Sequence, residues 1–352
     1  MTKVLVSGRV LDAQTGGNTR YARTVYEGLA GFGVEHRVAR VSGARGAARS
    51  AAYAALEGVV WPLAPGRDID VIHFPADTGA QLPSSRPIVS TVHGLATMHI
   101  DGVRKPSANR LWLQRVTRLI ELSKTVITVS ESSARDIAAL VPAAASKIVP
   151  ILHGIDHSVF NTAGAERDSE MLTAQGIEGE YFLYLGNLDP RKNIVELSRA
   201  ASAVFDRTGI PLLISGAPAW ESDDIIAAVK ATRGVHYLGR VTDEVMIPLM
   251  REALAFCFPS RYEGFGLPVI EAMACGTPVI CSDRGSLGEV AGGAALIVPE
   301  LDAASIEARM MELVNDSGLR TELRALGLAN ARRFQWNESI AKHAEVFTGA
   351  AQ

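Results

Sequence analysis

Three cysteines among 352 residues are too few to frame this chain. Cys257, Cys275 and Cys281 show neither metal-ligand nor disulfide spacing, so they read as small buried hydrophobes in a reducing compartment. An excess of positive charge is also missing. The formal net charge is -3, which argues against the concentrated basic surface of a nucleic-acid binder. No apolar run is long enough to span a bilayer and no secretory signal opens the chain, so the expectation is a cytoplasmic protein that is not exported by that route. Internal repeats are absent, and low complexity is confined to an Ala/Arg/Gly-rich patch at 43–55. No G-x-G-x-x-G follows the first predicted strand, which sets a nicotinamide-linked oxidoreductase last among the alternatives.

What is present is ordinary globular composition, 47% hydrophobic and 21% charged, with length enough for two domains. Short apolar runs predict strands at Lys3–Ser7, Glu35–Val41, Val71–Phe74, Ile88–Val92, Thr125–Ser130 and Lys147–Ile151. They resume at Tyr181–Gly186, Pro211–Ser215, Val235–Leu238 and Ala253–Phe258. Their alternation with helical segments indicates an α/β chain with parallel sheets. The polar, glycine-containing HGIDHSVF, residues 153 to 160, marks a domain boundary.

The stretch on which the chain is organised is FCFPSRYEGFGLPVIEAMACGTPVICSD, from Phe256 to Asp283. A buried strand turns at Pro259-Ser260-Arg261 into the loop Gly264-Phe265-Gly266. Pro268 suits a first helical position, and Gly276 and Pro278 close the helix before a second strand, Pro278–Cys281. The first amides of such a helix lack intrahelical partners and carry partial positive charge, and two glycines clear the approach to them. That is an anion site, suited to phosphate. Glu263 and Glu271 would be repelled by the anion and serve better as acceptors for neutral hydroxyls beside it. A phosphate flanked by polyols is a nucleotide sugar. From these residues alone, a strand-turn-helix with two solvated glutamates is an equal alternative.

The context EGFGLPVIEAMACGTPVI, with seven residues between Glu263 and Glu271, resembles the signature of the retaining GT-B glycosyltransferases of family 4. The resemblance implies two Rossmann-like domains with a deep cleft between them. An N-terminal acceptor-binding domain would span 1–153 and a nucleotide-sugar domain 154–334, with 335–352 returning to the first as a helix. It further implies that Glu263 meets the donor sugar, that Glu271 binds the ribose, and that the amides of Phe265, Gly266 and Leu267 face the sugar and distal phosphate. Arg191 and Lys192, in NLDPRKN after the strand Tyr181–Gly186, suit a diphosphate on physical grounds, as a fork and a point charge. A solvated basic turn is the plainer reading, and the family's Arg/Lys pair in this loop favours the first. LDPRKN is most similar to bacterial enzymes that transfer mannose or related sugars in polysaccharide assembly. Arg240 and Val241 correspond to a loop along the nucleobase. Gly285, Ser286 and Glu289 resemble a family segment to which no role attaches.

In the first half, Gly16 and Gly17 lie in a predicted loop, Gly8 to Arg20, before a predicted helix Tyr21–Leu29 whose apolar line continues to Phe32. They resemble the glycine-rich loop that approaches the donor diphosphate, and Arg20 stands where an acceptor or phosphate contact fits. His93 follows the strand Ile88–Val92 directly. The resemblance gives it a contact with the donor sugar near the reacting carbon, whereas His73 and His99 read as structural or surface residues. Asp68-Ile69-Asp70 spells a metal-binding DxD but precedes the strand at Val71, away from the carboxyl ends where ligands collect. No metal and no cofactor besides the nucleotide-sugar substrate are therefore expected.

Residues 103–124 read as a basic amphipathic helix with Leu111, Trp112, Arg115, Val116, Leu119 and Ile120 on one side. A core-packing helix with a solvated basic face is favoured over peripheral contact with the inner face of a membrane. The function implied by the resemblance is hexosyl transfer with retention, from a GDP-sugar ahead of UDP- or dTDP-sugars, to a sugar or lipid-linked acceptor. Acceptor contacts would come from loops around 8–20, 76–86 and 96–107. Alternatives are a sugar-nucleotide epimerase or phosphorylase of the same fold, or a nucleotide-sugar binder without turnover.

Overall fold

The computed structural model describes residues 1–12, 16–43, 45–100, 104–219 and 222–352. The first residue of the basic segment 103–124 and parts of the loops 8–20 and 96–107 lie outside these. The chain divides into two compact units, Met1–Gly154 with Gln335–Gln352, and Ile155–Phe334.

In the first unit, Thr2–Ser7 (β1), Val34–Ala39 (β2), Val71–Phe74 (β3), Ile88–Val92 (β4), Thr125–Thr128 (β5) and Ile148–Pro150 (β6) form a parallel sheet in the order β2-β1-β3-β4-β5-β6. In the second, Phe182–Leu185 (β7), Leu212–Ser215 (β8), Val235–Gly239 (β9), Ala255–Phe258 (β10), Val279–Cys281 (β11) and Leu296–Ile297 (β12) are ordered β12-β11-β10-β7-β8-β9. Strand order reverses between β1 and β3 in one sheet and between β7 and β10 in the other. The crossovers leave those strands to opposite sides, which opens a crevice at their carboxyl ends.

The central strands are covered on both faces and largely apolar, whereas the edge strand β2 keeps Glu35, His36 and Arg37 exposed. Val4 and Val6 pack with Tyr21, Val25, Ile340 and Phe347, and the intervening Leu5 with Ile72, Phe74 and Leu119 on the other face. The final helix, Trp336–Ala351, thereby belongs to the core of the first unit. Gly154 is required where it meets this helix, because a Cβ would lie 2.2 Å from the Trp336 amide nitrogen.

Several expectations need correction. The span Gly8 to Arg20 is not a continuous loop: Gly8–Leu11 is a short helix, and the next helix, Gly17–Gly28, begins at the glycine pair. Phe32 ends a 3-10 turn closed by left-handed Gly33 and is exposed. In the helix Pro106–Leu122 the buried line is Val116, Leu119 and Ile120, while Leu111 is 58% exposed. Residues 302–334 are largely helical, as two helices, Ala303–Asn315 and Ser317–Ala331, the second capped by the Asp316 carboxylate through the Leu319 amide. All three cysteines are buried and free, and burial pushes the Cys275 and Cys281 thiols up to about 12. Among the described residues no helix is long and apolar enough to cross a membrane.

Candidate active site

The switch point of the second sheet is lined by the turns after β7 and β10. After β7, Asp189 caps the single turn Pro190–Lys192 by accepting the Arg191 amide at 3.0 Å. The same carboxylate takes the Arg191 fork, Nε at 3.0 Å and Nη2 at 2.9 Å. Burial works against the Arg191 charge, but the hydrogen bond and charge of Asp189, with Glu263 beyond it, hold the guanidinium above its ordinary range. Lys192 Nζ lies 2.6 Å from Glu263 Oε1 and 4.8 Å from the centre of the Phe258 ring. Both side chains of that pair are nearly enclosed, 12% and 11% exposed. The Arg261 amide donates to the Arg191 carbonyl at 2.7 Å and ties the two turns together. Two cations are thus presented together, each matched by a carboxylate.

Glu263 is fixed from behind by a segment to which the sequence assigned no role. Gly285 bridges it in parallel, and the Ser286 amide donates to the Glu263 carbonyl at 3.0 Å. Ser286 Oγ reaches the carbonyl oxygens of Glu263 and Phe265 at 3.1 and 2.6 Å. A Cβ on Gly285 would stand 2.3 Å from the Glu263 carbonyl oxygen, so only glycine permits this approach. Gly266 precedes the helix Leu267–Ala274 with φ 107°. A Cβ there would be strained and would meet Leu287 at 2.7 Å. Phe265 is buried beside it, Leu267 opens the helix, and Glu271 is buried on the second turn. Glu263 therefore lies in the loop before the helix start, and Glu271 within the helix. Arg240 and Val241 lie at the carboxyl end of β9, the sheet edge two strands from β7.

In the first unit, Gly16 and Gly17 sit exposed at the start of a helix, with Gly16 at φ 117°. His93 follows β4, and the turn after β3 holds it twice. Its amide donates to Asp77 Oδ1 at 3.0 Å, and its Nε2 lies 2.9 Å from the Pro75 carbonyl. A carbonyl only accepts, so Nε2 carries the proton and Nδ1 is an acceptor. Burial keeps this imidazole below its usual range, against the pull of Asp77. Asp70 instead accepts the Lys3 amide at 2.8 Å, and Asp68 pairs with Arg37 at 3.6 Å, ahead of β3.

The Tyr21 ring meets His93 edge-on at 4.9 Å, and its hydroxyl belongs to a buried chain. His343 Nδ1 donates to the Ser339 carbonyl at 2.7 Å, so its Nε2 must accept from Tyr21 at 2.8 Å. Tyr21 then accepts from Thr91 at 2.9 Å, Thr91 from His73 Nε2 at 2.9 Å, and His73 Nδ1 from Tyr26 at 2.8 Å. One proton order satisfies every link, and it requires neutral histidines. His73, read from sequence as structural, is a member of this chain. Sequence reasoning attached no role to Asp189, Ser286, Asp77 or Tyr21. Asp189 and Asp77 carried a signal as acids just beyond a strand's carboxyl end, and Ser286 carried one through the family-like segment around it.

Two family descriptions match this chain: Glycosyltransferase Family 4 over residues 15–159, and Glycosyl transferases group 1 over residues 173–328. It is 34% identical over 253 residues to O-antigen chain mannosyltransferase B of Escherichia coli, covering 70% of this chain and 66% of that protein. It is 26% identical over 256 residues to serotype-specific mannosyltransferase WbdA of Escherichia coli, covering 70% of this chain and 31% of the relative. The chain therefore spans just under two thirds of the first and about a third of the second. Among solved structures, sucrose-phosphate synthase from Thermosynechococcus elongatus shares the fold with a TM-score of 0.76 at 19% identity, covering 99% of each chain.

Proposed function

Because this chain belongs to the family 4, group 1 glycosyltransferases, we propose that it moves a hexose, mannose in the first instance, from a nucleotide sugar to an acceptor hydroxyl with retention at the anomeric carbon. The observation that carries the reading is the pairing of Lys192 with Glu263, beside Arg191 with Asp189, at the β7–β10 switch point. Cations held there face the leaving diphosphate, and carboxylates within reach of them accept donor hydroxyls. As the C1–O bond breaks, Arg191, Lys192 and the amides around Gly266 stabilise the developing negative charge without reorganising. The acceptor oxygen bonds to C1 on the face the leaving group departs from, and its proton passes to the departing phosphate oxygen. His93, neutral with an accepting Nδ1, suits a donor-sugar hydroxyl.

Mannose is supported by the mannosyltransferase names of the relatives, and the donor order GDP, UDP, dTDP is part of the proposal. Raised melting temperature with one nucleotide sugar, together with an axial or equatorial product anomer read by NMR, tests the proposal. A protein that binds and turns over none of these donors overturns it. Because fixed cations stabilise the leaving group, activity is expected to survive EDTA. Loss of activity in chelator with recovery in magnesium or manganese would show otherwise.

Glu271 is proposed to grip the ribose, remote from C1. Binding that is uniform across ground and transition states appears mainly in KM, and charge-assisted hydrogen bonds contribute roughly 1.5–3 kcal/mol each. Glu271→Gln is therefore expected to weaken GDP and GDP-mannose by similar factors, and a 2′-deoxy nucleotide to lose little further on mutation. Glu263→Gln should spare GDP affinity and damage transfer. Isothermal titration decides this, and unchanged GDP affinity in Glu271→Gln would remove the ribose assignment.

A further inference from the structure

The transfer chemistry makes no use of Glu57, which is 1% exposed in the turn Leu56–Val60. Its Oε1 accepts from the Ser7 hydroxyl at the end of β1 and from Arg9 Nε at 3.0 Å. Its Oε2 is buried with no hydrogen-bond partner among the described residues. Arg9 Nη2 donates across to the turn after β3, to Thr78 O at 3.3 Å and Thr78 Oγ1 at 3.1 Å. The Gln81 amide donates to the Gly58 carbonyl at 2.9 Å, which fastens the Glu57 turn to the same segment. Thr78 adjoins Asp77, the residue that holds the His93 amide.

These groups stand at the β1–β3 switch point of the first sheet, the position where an open parallel sheet takes its ligands. Stability does not call for such a pair, since well-packed apolar residues commonly replace a buried ion pair without loss. The Arg9 guanidinium is held along its Nε and Nη2 edge, yet its side chain remains 37% exposed. That leaves the Nη1 side as an oriented donor edge. Its charge is balanced by Glu57, so the site fits neutral hydroxyls better than a phosphate; Arg115 is the other cation whose field reaches Glu57. Resting on the glycosyl-transfer reading, we propose that Arg9, oriented by Glu57 and Thr78, is an acceptor-binding residue that takes vicinal hydroxyls of a neutral sugar.

The test uses saturation-transfer NMR on the full chain with methyl α-mannopyranoside as the neutral probe and mannose 1-phosphate as the anionic one. The double variant Arg9→Gln with Glu57→Gln removes both charges and leaves no lone buried carboxylate. It is expected to weaken the glycoside about tenfold, the worth of one good polar contact, with the GDP-induced melting shift unchanged. Arg9→Lys keeps the pair but loses the planar fork, and is expected to weaken it comparably. If the double variant loses the GDP shift it has lost its fold, and Arg9→Lys alone decides. Glycoside binding that is absent from wild type or unchanged in the deciding variant overturns the inference, as does an Arg9 dependence confined to mannose 1-phosphate. Failure of wild type to bind GDP falls instead on the transfer reading.

Discussion

Lys192→Ala is expected to lower turnover about 100- to 1000-fold at saturating donor, the usual worth of one preorganised donor aimed at developing charge. The structure adds a second consequence. Lys192 is the cation 2.6 Å from Glu263 in a nearly enclosed pair, so removing it strands a carboxylate. Breaking one partner of such a pair costs about 3–5 kcal/mol, because the remaining charge stays desolvated. A fall in activity after Lys192→Ala thus mixes chemistry with stability. Lys192→Gln separates them, since its amide still donates to Glu263 but carries no charge toward the diphosphate. Its melting temperature should return most of the way to wild type while turnover stays low. Initial rates with GDP-mannose beside melting curves for both variants make the measurement. Turnover of Lys192→Gln within about threefold of wild type would reduce Lys192 to a structural partner of Glu263.

The second large effect is expected in acid. The chain from Tyr26 through His73, Thr91 and Tyr21 to His343 needs each imidazole to offer one acceptor, and a protonated ring offers none. Burial lowers His343 to about 4, against its bond to the Ser339 carbonyl. Burial also drives His73 and His153 well below their ordinary range, and other histidines of the cluster add to it. The folded-state values are depressed, so the stabilisation is fully present above the unfolded value near 6.5 and is lost as pH falls below it. For His343 alone the loss completes near 4 and amounts to roughly 3 kcal/mol. Melting temperature should therefore decline already between about pH 6.5 and 5, above the range where most carboxylates titrate. His343→Gln should flatten that part of the curve. A wild-type curve level across the same interval would exclude the histidine chain as the source of acid sensitivity.

The chain by itself determined what depends on near neighbours. The strands, the helix opening at Leu267, the Ser130 cap of Glu131–Leu140 and the spacing of Glu263 from Glu271 all follow from residues within a few positions of one another. The carboxyl-end rule marked the positions of His93, directly after a strand, and of Arg191 and Lys192, in the turn beyond one; the family resemblance supplied their roles.

Only the tertiary structure decided their partners. Lys192 and Glu263 are 71 positions apart, and Tyr21 and His343 are 322 apart. The Ser286 contact behind Glu263 comes from beyond the next strand, and the Arg9–Thr78 contact spans β2, β3 and the helices before and between them. In a parallel sheet every neighbouring strand arrives through a crossover, so apolar patterning reports that a strand exists and leaves open which strand lies beside it. The order β12-β11-β10-β7-β8-β9 puts the turns after β7 and β10 side by side, and β2-β1-β3 does the same for Arg9 and Thr78. Strand order is a property of how the crossovers pack, and it is what turns separate charged residues into pairs.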